Sequence, residues 1–466
     1  MQAIESKTNV LRVFGVCWGM KRWLIYTTMK YTSWLVFLLS LCPACAQEPV
    51  RLSLTQAIAL AASPRGPASV QLADAAVGAA HARVAEARSY RFPLLTGNIS
   101  ESNLTRNLGA EGFNFPTGVP NFKIPSEVGP FNVFDGRVEM TQTVFDLGAI
   151  RRSRAIRAAL DVEMAGAAGT RESASARAAH DYLLALAAEA RMRCAEADVQ
   201  QTDANVTTAH HDIEAGKASD AELTHALLNR SASRRKLGAA QNAATQARLQ
   251  LLDDLGLEFD TTLEFTDVLN FDSNAGVDLA AQISLALRTR AELRAAAGRL
   301  EEARDQSGAD RAAILPTVSA YGDVGPQNSV ITHTVGVSAK ITLFDGGRRK
   351  AQEAQSNAAV QQFAIQQHDL KRQIEMEVRR AFANLQTASS RAHECEAALG
   401  LSHEELARAH RRFANGLGDN AEMVSAELQE VDAREEQVEA YLAWNQARLE
   451  LAQATGTVDT FEMKSK

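Results

Sequence analysis

Between Thr332 and Phe344 the chain alternates. Val335, Val337, Ala339, Ile341 and Leu343 share one side; Gly336, Ser338, Lys340 and Thr342 share the other. Period two predicts a strand, and this run is long enough to cross a membrane at a tilt. A partner strand opens at Pro316, with Val318, Ala320 and Tyr321, and turns near Gly325-Pro326. Arg137–Phe145 alternates more weakly, setting Val138, Met140 and Val144 against Arg137, Glu139, Thr141 and Thr143. Leu94–Thr105 is its partner across a loop at 106–131. That loop carries Phe113, Phe115, Phe122 and Phe131, which suits an exposed loop or one folded over a pore mouth.

Elsewhere the period changes to heptads. Ala178, Tyr182, Ala185, Ala188 and Met192 form one apolar stripe, and Ile374, Val378, Ala381, Leu385 and Ala388 another, with charges on the other faces. That is a coiled-coil pattern, and its many alanines let helices pack closely. No proline occurs from Phe131 to Leu315 or after Pro326, as long helices require.

The pattern is written twice. Phe-Asp recurs at 145–146 and 344–345; EAGKASDAEL at 214–223 answers ANGLGDNAEM at 414–423. A fixed offset over so long a stretch marks an internal duplication. Each half predicts the same order. A helix comes first (Leu54 to Tyr90; Leu279 to Ala312), then two strands, then a very long helix (Leu147 to Ile213; Gly346 to Ala414). A glycine turn (Gly216; Gly416–Gly418) and a shorter helix (Asp220–Leu255; Asn420–Thr455) close the half. The repeats span 50–256 and 279–457, with a linker at 257–278 and a C-terminal tail at 458–466. Each Phe-Asp pair marks a strand-to-helix corner. Asp146 and Asp345 are candidate helix caps, after Phe145 and Phe344, and Gly148, Gly346 and Gly347 ease the corner. A helix of this length measures ~100 Å, about as long as the two shorter helices of a half laid end to end.

Residues 1–46 read as a leader: Lys30, the apolar run Trp34–Leu41 and the cleavage pattern Ala44-Cys45-Ala46. Met29 opens a complete signal peptide, MKYTSWLVFLLSLCPACA, and Cys45 is a candidate for lipidation. No later run approaches the ~20 apolar residues of a spanning helix. After cleavage only Cys194 and Cys395 remain, too few for a disulfide framework, and they read as free thiols. The net charge of −7, with no basic patch interleaved with aromatics, argues against a nucleic-acid partner. After the leader none of the metalloprotease, nucleotide-binding, serine-hydrolase or paired-cysteine motifs occurs. His210 and His211 fall on different helix sides, and His403 and His410 read as solvated faces. The sequence predicts a non-enzyme without a cofactor or metal.

The signal peptide, the duplication, QTVFDLG and KITLFDGG, and the glycine turns between long helices resemble the TolC-type outer-membrane efflux proteins over about 50–457. The resemblance implies an α+β membrane protein, mostly α. Long coiled-coil helices form a periplasmic tunnel, and four strands per chain join a trimeric twelve-stranded barrel. It also implies an exit duct in the outer membrane, embedded in its lipid and working with an inner-membrane transporter and a periplasmic adaptor. The adaptor would meet the turns at Gly216, Lys217, Gly416 and Gly418. Acidic residues past the second glycine turn ring the lumen in relatives; Glu422 falls at the first such position and Ser425 at the second. Asp220 and Glu222 are their first-half counterparts, and Gly418 stands where relatives carry a basic latch. Without the resemblance, Glu422 reads as a first-turn acid favoured by the helix dipole. The rival reading of the whole chain is a periplasmic coiled-coil adaptor or scaffold without a barrel. The alternation at 332–344 separates the two.

Overall fold

The computed structural model describes residues 50–112, 127–216, 219–272, 277–415, 417–418 and 420–463. The first half runs β1 (Val50–Leu52), α1 (Leu54–Ala61), α2 (Ala68–Ser89), β2 (Leu94–Asn107), β3 (Glu127–Phe145), α3 (Leu147–Glu214) and α4 (Asp220–Leu255). A short strand, β4 (Leu263–Phe265), lies in the linker and pairs with β1. The second half runs α5 (Leu279–Thr289), α6 (Ala291–Ala312), β5 (Thr317–Gln327), β6 (Val330–Lys340), α7 (Arg348–Ala414) and α8 (Asn420–Thr455).

The elements run in the same order in both halves, with two departures from the expected order: a short strand precedes each first helix, and each first helix is divided in two. The helix expected over Leu54 to Tyr90 is two helices, broken where Pro64 and Pro67 remove amide donors. The helix expected over Leu279 to Ala312 breaks at Arg290, whose backbone is extended (φ −56°, ψ 124°). No proline causes this. Arg290 Nη1 donates to the carbonyls of Gln453 (3.2 Å) and Ala454 (3.3 Å) at the end of α8, and Nη2 to Glu377 on α7 (3.0 Å). Tertiary contacts hold the break.

The halves are not separate bodies. α3 packs on α2 and α4 of its own half and on α6 and α8 of the other. Two apolar clusters lie partway along the long helices. One gathers Leu54, Ile58, Tyr182, Leu183, Leu186, Leu251 and Leu255, with Val458 and Phe461 from the tail. The other gathers Ile374, Val378, Leu385, Trp444 and Leu451. The linker reaches both: Phe265 meets Tyr182 edge-on (centroids 5.2 Å apart), and Phe271 meets Trp444 (5.1 Å). Tyr182 is wholly buried; its hydroxyl donates to Leu52 O at 3.0 Å and lies 2.9 Å from Asp267 Oδ2. Cys194 and Cys395 are free thiols, half-buried in different helices.

The other four strands form one antiparallel sheet in the order β2-β3-β5-β6, so β2 and β6 are its free edges. β3 starts at Glu127, ahead of the expected Arg137, because β2 pairs with it as far as Asn107↔Glu127. β5 and β6 meet across Asn328-Ser329, not at Gly325-Pro326, which pair with Thr332 and Ile331. Asn328 takes the left-handed conformation (φ 54°) that asparagine tolerates. The turn docks on β3: Asn328 N–H donates to Phe134 O and Phe134 N–H to Asn328 Oδ1, both at 2.7 Å. Beyond it, among the described residues, the β2–β3 ribbon alone continues. β6 ends at Lys340, ahead of the expected Phe344.

Candidate functional site: a two-faced sheet, two corners and two helical turns

Pairing across an antiparallel sheet puts partners on the same face. Following the registers from Val335, one face carries Val337 and Ala339 of β6 with Val318, Ala320 and Val324 of β5. The same face continues through Phe134, Val138 and Met140 of β3 to Leu95 and Ile99 of β2. Gln142 and His333 interrupt it, and so does the carboxylate Glu101, which lies opposite Phe134. This apolar face is bare in the single chain: Val335 is 85% and Ile99 82% exposed. The opposite face carries Thr96, Asn98, Asp135, Arg137, Glu139, Thr141, Ser319, Tyr321, Asp323, Thr334 and Ser338. So large an apolar face on a soluble protein marks contact with another apolar phase.

The corners lie at one end of this sheet. At the first, Asp146 caps α3: its Oδ1 accepts from Ala149 N–H at 2.8 Å and its Oδ2 lies 3.4 Å from Arg152 Nη2. Phe145 ends β3 opposite Val318. Gly148 is buried, and a Cβ there would sit 3.1 Å from Arg152 Nη1 and from Asp146 Oδ1. At the second corner the helix begins at Arg348, two residues later than expected. Gly346 (φ 66°) and Gly347 (φ 90°) are left-handed, a conformation glycine adopts without strain. Asp345 still serves this helix start. It accepts from Gly347 N–H and Arg349 N–H (3.2 Å each) and from Arg349 Nε (2.8 Å). Desolvation raises this carboxyl, but the bonds from Arg349 and the two amides outweigh it and hold it below the usual range. Phe344 stands 87% exposed.

At the opposite end of the long helices are the turns. Gly216 is left-handed (φ 70°) and donates to Ile213 O at 2.9 Å. Glu222 Oε2 accepts from Ser219 N–H at 3.0 Å, so its carboxylate caps α4; Asp220 is exposed in the same first turn. Lys217 and Gly416 lie outside the described residues, as do Cys45, the whole leader, and the loop residues Phe113, Phe115 and Phe122. In the second turn Leu417 N–H donates to Arg412 O at 2.9 Å, and Arg412 Nη2 to Leu417 O at 3.3 Å. Arg412 Nε also lies 3.3 Å from Glu422 Oε1. A Cβ on Gly418 would stand 3.1 Å from Glu422 Oε2 and 3.2 Å from Arg412 Cβ. Ser425 is exposed one turn further on.

The structure thus places Glu422 as a first-turn acid with an arginine from the preceding helix against it. Sequence reasoning missed Arg412; its signal was a basic residue in the last turn of α7. The histidine read as a solvated face at His403 is 73% exposed and also meets a carboxylate. His403 Nδ1 lies 3.1 Å from Glu430 Oε1, a nearly buried carboxylate that also takes Arg434 Nη2 at 2.6 Å. Among the described residues no three His, Cys, Asp or Glu side chains converge as a metal site.

Comparison with known proteins follows this geometry. Residues 282–457 match the family model described as outer membrane efflux protein. A curated relative, the proteases secretion protein PrtF of Dickeya chrysanthemi, is 27% identical over 132 residues, 28% of this chain. The match spans only 29% of that relative's length. The outer membrane protein VceC of Vibrio cholerae superposes with a TM-score of 0.71 at 19% identity, over 86% of this chain and 96% of that one. The Campylobacter jejuni outer membrane channel CmeC gives 0.72 at 15% identity, over 89% and 87%. The described chain therefore has the fold of the outer-membrane channels that combine a strand barrel with a helical tunnel. Its second repeat carries the pattern of the outer membrane efflux protein family.

Proposed function

We infer that the protein is an outer-membrane export channel. It is a passive exit duct for solutes delivered by an inner-membrane transporter through a periplasmic adaptor, and it has no catalytic activity of its own. The observation that carries this is the two-faced sheet with two free edges. Four strands cannot close a barrel, and hydrocarbon tolerates no open edge. Two copies reach eight strands, whose interior side chains fill; three copies reach twelve and leave a lumen. The homotrimer closes when β6 of one protomer pairs with β2 of the next. Outer-membrane lipid then covers the apolar face, the polar face lines the duct, and the long helices extend into the periplasm. The turns around Gly216, Lys217, Gly416 and Gly418 meet the adaptor. Asp220, Glu222, Glu422 and Ser425 stand nearest the constriction, where Arg412 offsets Glu422. A scaffold of coiled coils has no use for the apolar sheet face.

Single-channel recording of the mature protein in a planar bilayer tests this, wild type beside Glu422→Ala and Arg412→Ala. The expected result is discrete conductance steps that divalent cations block, less in Glu422→Ala and more in Arg412→Ala, where each of three carboxylates loses an arginine beside it. Steps that none of these changes affects would leave Glu422 a helix-end acid. A well-folded protein that stays soluble and never enters lipid would overturn the barrel.

A further inference from the structure

The polar sheet face holds a charge cluster that alternation alone does not show. Arg137 grips Asp135 with two bonds, Nε to Oδ1 at 2.6 Å and Nη2 to Oδ2 at 2.7 Å. Its Nη1 reaches Asp323 Oδ1, on the neighbouring strand, at 2.9 Å. Glu139 lies directly opposite Asp323 in the β3–β5 register, on the same face. Like charges facing each other across a pair of strands repel, and the cation beside them is held by Asp135 and Asp323. The formal balance of these four side chains is three negative against one positive, or −2 per chain. Within the four-stranded part of the sheet, the other charge on this face is Lys340. It lies six positions along β6 from Thr334, the residue opposite Asp323, or ~20 Å away.

Resting on the reading of the chain as a duct, we propose that Arg137 and Glu139 set the ion preference of the barrel lumen. Arg137 is a positioning residue that fixes Asp135 and Asp323 against the wall and neutralises one of them. Glu139 supplies one of the two charges left over, and the other aspartate supplies the second. Three copies ring the lumen at one level with surplus carboxylate, in a passage walled by low-dielectric barrel and lipid that focuses their field. Inorganic cations and organic ammonium ions pass this level more readily than anions of the same size. The preference is independent of Glu422, which lies beyond the far end of a helix ~100 Å long, many screening lengths of ~8 Å away.

The test reads the local potential without requiring an open tunnel. Thr141 shares the face with Glu139, two positions along β3. Thr141→Cys, with Cys194 and Cys395 replaced by serine, is reacted in trimers in lipid vesicles with one cationic and one anionic methanethiosulfonate reagent at low salt. The expected result is faster reaction with the cationic reagent. The rate ratio should fall at least threefold in Glu139→Gln, rise at least twofold in Arg137→Gln, and return toward wild type in Arg137→Lys. A ratio that moves in neither Glu139→Gln nor Arg137→Gln overturns the proposal, whether or not the channel conducts. Met140→Cys, on the opposite face, is the control for the duct itself. If it reacts while Thr141→Cys resists both reagents, the faces are reversed and the duct reading fails.

Discussion

Asp254, near the C-terminal end of α4, is a carboxyl pushed up to about 6, first by burial and then by the hydrogen bond and charge of Asp181. Asp181 on α3 moves the other way. Burial raises it, but hydrogen bonds with His180 and Asp254 hold it below the usual range. His180 Nδ1 lies 2.9 Å from Asp181 Oδ1, and that bond raises the imidazole above its ordinary value. A group whose pKa is raised by folding binds its proton more tightly in the folded chain, so stability falls as pH rises through its window. For Asp254 the window opens near pH ~4 and closes at about 6. For His180 it opens at ~6.5 and extends upward. Asp181 has the opposite sign: its contribution is present above pH ~4 and is lost below. Asp254→Asn should therefore remove the part of the decline in melting temperature that falls between about pH 4 and 6, and should melt higher than wild type at pH 7. Identical pH slopes in the two proteins would show that Asp254 titrates normally.

At the scale of elements, α4 and α8 begin and end where the sequence places them, because their signals are local. Ser219 and Glu222 open α4, and the left-handed Gly256 (φ 67°) closes it. Asp146 is legible for the same reason, since a cap is decided within four residues; at the second corner Gly347 takes the cap position and Asp345 reaches the helix start from two residues ahead. The break at Arg290 is not legible, since its cause is a pair of carbonyls more than a hundred positions away. Nor is the Arg137–Asp323 pair, which exists only once the register of β3 on β5 is known. The second hairpin turned where Asn328 could dock on Phe134, and a glycine-proline pair inside β5 proved a poor guide. The two-faced sheet makes a sharp prediction at this scale. Val337→Arg, on the apolar face, should weaken folding into lipid vesicles by about 2–4 kcal/mol, while Ser338→Arg, one residue along on the polar face, should fold close to wild type. Equal losses in both variants would remove the distinction between the faces.

For the whole molecule, the matched lengths of the helices couple their sequences. α3 and α7 run 68 and 67 residues, and α4 and α8 run 36 each. A seven-residue insertion placed in α7 alone, below the apolar clusters, carries Arg412 past the start of α8 and away from Glu422. The same insertion in α3, α4, α7 and α8 preserves every heptad and lowers the turns by ~10 Å. The fourfold variant is expected to form trimers that melt near wild type in detergent, and the single insertion to melt lower. The reverse order would show that the four helices do not share one register. At the other end the sheet narrows from four strands to two where Asn328 docks on Phe134. Among the described residues, the β2–β3 ribbon runs on past the last rung of the four-stranded part. On the reading of the chain as a duct, substitutions in this ribbon leave the strand pairings of the four-stranded wall in place.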